Sequence, residues 1–254
     1  MDKNTFLKYF KEEDIATKLY NRYMLAVNKN ITVFSKEFLS PHDWGRLLEM
    51  ENKLHVKIFT EGIFEESERR MVAFGNLEEK PEFPIEIIKI KGKSKFHNLK
   101  HKDFLGAVMA QGLEREKMGD FIVEDNSCYF PILEDMSSYI KYSLDSVGKS
   151  PCDVITIYDL EDIPKKQYEE KVIVVSSLRL DNIVSNICNL SRSKAEDIIS
   201  QGKVLVNYYE ISKKDKILES NDKVIVRGFG KFILKDILGI TSKDKYRVLI
   251  QKYI

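Results

Sequence analysis

Apolar residues recur at roughly helical spacing near the start of the chain. Phe6, Phe10, Ile15, Leu19 and Tyr23 predict one helix over residues 5–28. Ser40-Pro41 reads as an N-cap followed by Pro at the first helical position, opening a helix to about Asn52. Residues 54–60 alternate as a strand that Gly62 turns. Residues 65–70 predict a charged helical turn, and residues 71–74 a further strand. Lys80-Pro81-Glu82-Phe83-Pro84 then separates a second segment.

That segment reads as a strand at 85–90, a helix at 101–111 stopped by Gly112, and a strand at 120–124. A turn at Asp125-Asn126-Ser127, a strand at 128–133, a helix at 134–144 and a strand at 153–158 follow. The order is β-α-β-β-α-β, the ferredoxin-like arrangement that RNA-recognition modules also use. Their stacking-aromatic motif is absent; Tyr129 and Phe130 lie on a candidate strand, where one must face the core. Polar residues 159–171, with Pro164-Lys165-Lys166 and paired glutamates, read as a linker. Beyond it, Leu180, Ile183, Val184 and Ile187 share one helical face, and Asn189-Leu190-Ser191-Arg192-Ser193 breaks the chain. Ser191 caps a second helix, and Ser193 with Glu196 also fits a capping box. Gly202 ends that helix, and strands follow at 204–207 and 222–228. The expected whole is α+β: an N-terminal α/β domain (1–78), a ferredoxin-like domain (79–165), and a C-terminal domain (172–254) with a β extension.

Composition narrows the function. The chain has 254 residues, 43% of them hydrophobic and 32% charged, which describes a folded, soluble protein. No apolar run approaches the length of a membrane helix, and the charged N-terminus does not resemble a signal peptide, so a cytoplasmic location with no membrane partner is expected. Cys128, Cys152 and Cys188 lack metal-ligand spacing, so neither metal nor cofactor is expected and buried thiols are. The net charge of +1 hides a split: from Arg179 onward there are 15 basic and 9 acidic residues, and the remainder is net acidic. A basic C-terminal third points to an anionic partner.

One motif names that partner. Arg179-Leu180-Asp181, Ser191-Arg192, Ala195, Ile199, Gly202, Val204, Val206-Asn207, Asp222, Ile225 and Gly228 together resemble the S4-type RNA-binding domain. Tyr208 stands where that pattern has Gly. The physics agrees: helix N-termini favour phosphate, and Arg179, Arg192, Lys194 and Lys203 gather around a helical corner. Tyr208 is placed to stack on a base or ribose. The candidate RNA-contact set is Arg179, Asp181, Ser191, Arg192, Lys194, Lys203, Asn207, Tyr208, Arg227 and Lys231. The competing structural interpretation makes Asp181 and Arg192 an internal ion pair.

The middle segment adds a second resemblance. Lys100-His101-Lys102-Asp103-Phe104-Leu105-Gly106-Ala107-Val108-Met109 and Leu113-Glu114-Arg115-Glu116-Lys117-Met118-Gly119-Asp120 look like the signature of the YlmH family. Ser67-Glu68-Arg69-Arg70 and Arg227-Gly228-Phe229-Gly230-Lys231-Phe232 also match, as does Leu238-Gly239 with Thr241-Ser242-Lys243, a less basic tail than the family's. The resemblance implies a non-catalytic protein on the large ribosomal subunit. It implies rRNA and tRNA as partners, peptidyl-tRNA held in place, and ribosome-associated quality control beside a nascent-chain tailing factor. His101, Lys102, Arg115 and Lys117 are candidate RNA contacts in the middle domain. A rival reading is enzymatic: residues 179–186 also resemble the Arg-Leu-Asp-x-x-Thr-Ser-Gly loop of pseudouridine synthases, where the Asp is catalytic. Val184 and Asn186 depart from that pattern, and the Asp falls inside a helical stretch.

Overall fold

The computed structural model describes residues 1–64, 66–93, 98–165 and 167–253; Glu65, Lys166 and Ile254, named above, lie outside the described residues. The chain divides into two compact units, Met1–Lys165 and Lys166–Ile254. The expected boundary near residue 78 falls inside the first unit.

The first unit opens with α1 (Lys3–Leu7) and α2 (Glu13–Lys29), where a single helix was expected. The break comes from aromatic packing. Phe6 is fully buried, and its ring stacks on Phe10 at 5.3 Å and on Tyr23 at 6.0 Å, which folds α1 back on α2. After β1 (Val33–Phe34), Ser40 caps α3 (Pro41–Met50), its side chain accepting from the Asp43 N–H with Pro at the first position, as expected. Strands β2 (Lys57–Glu61) and β3 (Met71–Gly75) complete an antiparallel sheet of order β1-β3-β2.

Residues 66–70 are bends and an isolated bridge rather than the helical turn expected there. Side chains capture the backbone amides that a helix would use. The Ser67 hydroxyl accepts from the Phe64 N–H at 3.0 Å and donates to the Gly62 carbonyl at 2.6 Å. Asp120 accepts the Glu68 and Arg69 N–H groups at 2.6 and 3.3 Å.

The second half of this unit runs β4 (Ile85–Gly92), α4 (His101–Ala110), β5 (Ile122–Glu124), β6 (Ser127–Leu133), α5 (Glu134–Ser143), β7 (Ser146–Val147) and β8 (Ser150–Ile157). The sheet order is β5-β6-β4-β8-β7, with every pairing antiparallel. Asp125 and Asn126, both at positive φ (47° and 58°), make the tight β5–β6 turn. Helices α4 and α5 bury Phe104, Val108 and Ile140 with Ile88, Ile90, Phe130 and Ile132 of the strands. Phe130 faces this core. Tyr129 is also buried, against Ile87 and Ile157, so neither ring forms an open stacking platform. A third cluster, of Phe38, Met71, Ala73, Phe83 and Leu133, joins the two halves.

The second unit runs β9 (Tyr168–Val175), α6 (Leu180–Ile187), α7 (Arg192–Ser200), β10 (Val204–Val206), β11 (Tyr209–Glu210), β12 (Lys223–Val226), β13 (Gly230–Ile240) and β14 (Tyr246–Tyr253). Its sheet is antiparallel throughout, in the order β11-β10-β12-β13-β14-β9. The linker expected over 159–171 ends earlier, because β9 begins at Tyr168 and pairs with β14 along its whole length. Its glutamates are strand residues: Glu169 lies opposite Lys252 and Glu170 opposite Gln251. A solvated edge strand reads like a linker, since its partner lies at the far end of the chain. Leu180, Ile183, Val184, Ala195 and Ile199 of the helices are fully buried against Val204, Val224, Val248 and Ile250. All three cysteines are buried. Among the described residues, no helix is long and apolar enough to cross a membrane.

Candidate nucleic-acid interface

The corner between α6 and α7 is organised by one carboxylate. Asp181 lies on the first turn of α6, where its side chain is fully buried. It accepts five hydrogen bonds. Arg179 donates from Nε and Nη2, each at 3.1 Å; Arg192 donates from Nε at 3.1 Å and Nη2 at 2.8 Å; the Asn182 N–H donates at 2.9 Å. The two guanidiniums stay in contact with solvent, their side chains 33% and 57% exposed. One buried acid thus holds two cations in fixed orientations and leaves both partly exposed, which suits forked recognition of phosphate. Asp181 itself faces inward. It positions the two arginines, so the ion pair expected from the competing structural interpretation is present, and the guanidiniums that it orients remain partly exposed.

Burial alone would raise the Asp181 pKa. The Arg179 and Arg192 hydrogen bonds and charges outweigh it, and the net shift is downward. A carboxylate with a depressed native pKa stabilises the fold above its ordinary value and loses that contribution as pH falls through the lowered one. The second unit should therefore keep this contribution at about pH 5 and lose it below the ordinary aspartate value of 3.8. Urea unfolding as a function of pH checks this: Asp181→Asn should flatten the acid limb.

The helix termini differ in what they offer. The first amides of α6 are occupied: Leu180 N–H donates to the Lys216 carbonyl at 2.8 Å, and Asp181 N–H to the Lys214 carbonyl at 3.0 Å. The α6 end is therefore closed, and what Arg179 presents there is its side chain. Ser191 caps α7, accepting from the Lys194 N–H at 3.3 Å. The alternative box does not form, because Glu196 is drawn to Lys214 at 2.7 Å and Arg192 at 3.7 Å. Lys194 is exposed on the first turn of α7.

The remaining expected contacts lie elsewhere on the unit. Lys203 follows Gly202, which takes the left-handed conformation (φ +67°) beyond α7. The Lys203 carbonyl accepts the Arg227 N–H at 3.0 Å, so these two exposed cations flank the far end of α7 from Arg192. Asn207 is tied down: its Nδ2 donates to Asp222 at 2.6 Å and its Oδ1 accepts the Lys223 N–H at 2.9 Å. With Tyr208 it forms the two-residue β10–β11 turn, at φ +50° and +69°. This backbone explains the Gly of the usual pattern, and Tyr208 occupies a strained position. Its ring lies 5.7 Å from the Lys231 ammonium, which also sits 5.1 Å over the Tyr253 ring. Sequence reasoning passed over the 212–217 loop as a polar turn. Its Lys213-Lys214-Asp215-Lys216 run was the available signal, and its carbonyls close the N-terminus of α6.

In the first unit the four candidates separate. His101 begins α4, and its ring lies 5.7 Å from that of Phe121. Arg115 reaches the same ring at 5.6 Å and donates from Nη1 to the Met118 and Gly119 carbonyls at 2.8 and 2.9 Å. Lys102 is exposed on α4. Lys117 turns away to the Lys36 carbonyl at 3.3 Å and Glu37 at 3.9 Å, so it does not form a basic pair with Arg115. Asp103 caps α4 by accepting the Lys100 N–H at 2.8 Å.

Both oxygens of Asp181 are engaged and its side chain is buried, which leaves the pseudouridine-synthase reading without an open carboxylate at that position.

Known proteins resemble this chain over both units. Residues 78–161 match a family described as "Putative RNA-binding domain in YlmH", and residues 178–224 match the S4 domain. A curated relative, ribosome-associated protein quality control protein P2 of Bacillus subtilis (strain 168), is 29% identical over 221 residues, covering 85% of this chain and 86% of the relative. A solved structure, the cell division protein YlmH from Streptococcus pneumoniae, shares the fold with a TM-score of 0.50 at 22% identity, covering 61% of this chain and 97% of that one. With a match to the YlmH RNA-binding domain followed by an S4 domain whose arginine corner is formed around Asp181, this chain is similar to the YlmH family of S4-domain RNA-binding proteins.

Proposed function

We propose that this chain is a non-catalytic cytoplasmic protein that grips rRNA and tRNA together on the large ribosomal subunit. In this reading it steadies peptidyl-tRNA during ribosome-associated quality control, alongside a factor that tails the nascent chain. The observation that carries the reading is the Asp181 clamp, which presents Arg179 and Arg192 to solvent beside exposed Lys194. The relative named for ribosome-associated quality control supports the setting. The middle segment is read as a ferredoxin-like layer. Strands β4, β5, β6 and β8 supply its first to fourth strands, in the order second, third, first, fourth, with β7 added beyond the fourth, and that order supports the reading. The three-module division at 1–78, 79–165 and 172–254 belongs to the same reading, with the first two modules sharing one compact unit.

The test is binding of the full chain to large subunits carrying peptidyl-tRNA, measured across a salt series. Lys194→Ala and Arg192→Ala each leave Asp181 a partner in Arg179, so the fold should survive. Each should weaken binding and reduce the slope of log affinity against log salt by about one for every phosphate no longer neutralised. Wild-type affinity and slope in both variants would remove the α6–α7 corner from the interface.

A further inference from the structure

The 212–217 loop is locked by its backbone beside the residues that carry the arginine corner. The Lys214 and Lys216 carbonyls accept the Asp181 and Leu180 N–H groups at 3.0 and 2.8 Å, and the Leu218 N–H donates to the Leu178 carbonyl at 2.9 Å. Ile217 bridges to Arg179 in antiparallel register. The loop thus has a fixed place at the corner, and its side chains remain available. Lys213 and Lys214 are exposed, as is the acid that follows them, Asp215.

Lys214 reaches across to α7. Its Nζ donates to Glu196 Oε2 at 2.7 Å, while Glu196 Oε1 lies 3.7 Å from Arg192 Nε. One carboxylate therefore spans a loop lysine and a corner arginine. It differs from Asp181 in what decides whether it can be replaced. Asp181 is fully buried and takes two hydrogen bonds from each arginine. The Glu196 side chain is 31% exposed, its lysine partner is 53% exposed, and Arg192 stands beyond hydrogen-bonding distance of it. A solvated pair of that kind contributes little to stability, so exchanging the carboxylate for another anion costs little. A phosphodiester presents a comparable pair of anionic oxygens, which can span the same two cations.

We propose that the 212–217 loop is a second wall of the RNA surface, and that Glu196 holds Lys214 beside Arg192 until an RNA phosphate displaces its carboxylate and spans the two cations in its place. Asp181 keeps Arg192 aimed throughout, so the exchange releases Lys214 without disordering the arginine. Glu196 is then a positioning residue that also competes with RNA, and its removal strengthens binding. The inference rests on the RNA-binding reading of the α6–α7 corner and extends it to a lysine that neither helix carries.

Binding of the full chain to large subunits carrying peptidyl-tRNA, across a salt series, provides the test. Lys214→Gln should lower affinity several-fold and reduce the salt slope by about one, because one phosphate is no longer neutralised. Glu196→Gln should raise affinity several-fold, and the gain should shrink in a Lys214→Gln background. Asp197→Asn removes an exposed acid one residue further along α7 and controls for net charge; it should change affinity less. The loop is held by backbone carbonyls and these side chains meet solvent, so the fold should survive each change. Wild-type affinity in Lys214→Gln would remove the loop from the interface. Unchanged or weaker binding in Glu196→Gln would mean that RNA does not displace its carboxylate. An equal gain from Asp197→Asn, or a gain that persists in full without Lys214, would reduce the effect to net charge. Each of these results overturns the proposal. If the Lys214 and Glu196 variants bind like wild type while Arg192→Ala and Lys194→Ala bind more weakly, this proposal fails and the proposed function stands; if none of the four alters binding, both fail.

Discussion

A chain carrying Arg179→Ala and Arg192→Ala together should lose about 3 kcal/mol of stability in its C-terminal unit, far more than two exposed arginines would contribute as surface charges. The cost comes from what remains. Asp181 is fully buried, and its charge is accepted there because both guanidiniums donate to it. Removing both leaves a carboxylate with one backbone donor, the Asn182 N–H. Its pKa should then rise instead of falling, because burial, the largest influence on it, is no longer opposed. Adding Asp181→Asn to the double variant removes the stranded charge and keeps an oxygen acceptor for Asn182. Stability should largely return, while RNA affinity stays low. Amide-exchange protection in β10, β12 and β14 measures the first effect, and RNA titration measures the second. A double variant as stable as wild type would show that Asp181 does not depend on its partners. A triple variant that bound RNA like wild type would show that the arginines are not contacts.

Phe38→Ala should lower the stability of the first unit by about 3–5 kcal/mol. Phe38 is fully buried in the cluster with Met71, Ala73, Phe83 and Leu133, and its N–H donates to the Glu116 carbonyl at 2.6 Å. It also lies beside Gly119, where an added Cβ would stand 2.4 Å from Pro131 and 3.2 Å from the Phe38 ring. The packing is therefore close on both sides, and truncation leaves a cavity that it has little freedom to fill. Trp44, the single tryptophan, lies in α3 and bonds the Glu68 carbonyl, so its fluorescence reports this unit alone. The expected result is one transition, moved to lower denaturant with an unchanged m-value. Two separated transitions would instead make residues 1–78 an independently folding domain.

Much of the secondary structure could be read from the chain because its causes are local. Ser40-Pro41 and Ser191 cap their helices with their own side chains, and Gly202 and Asp125-Asn126 take the positive φ that their turns require. The misreadings share a cause: the deciding partner lay beyond the few residues that a local pattern spans. The helix expected across residues 5–28 breaks because Phe6 folds back on Tyr23. The turn at 66–70 unwinds because Asp120, far along the chain, takes its amides. The linker becomes β9 because its partner is the last strand.

The same division holds for the interface. Residue identities and the S4 spacing, which depend only on helix caps, helical period and charge, mark Arg179, Asp181, Arg192 and Lys194 as candidates. Which of these face outward and which hold the others in place is a question of burial, and burial is decided only when distant segments pack. Tertiary structure alone placed the Asp181 carboxylate under two guanidiniums and closed the α6 terminus with the carbonyls of Lys214 and Lys216. An ion's solvation depends on everything around it in three dimensions, and that information is absent from any short window of sequence.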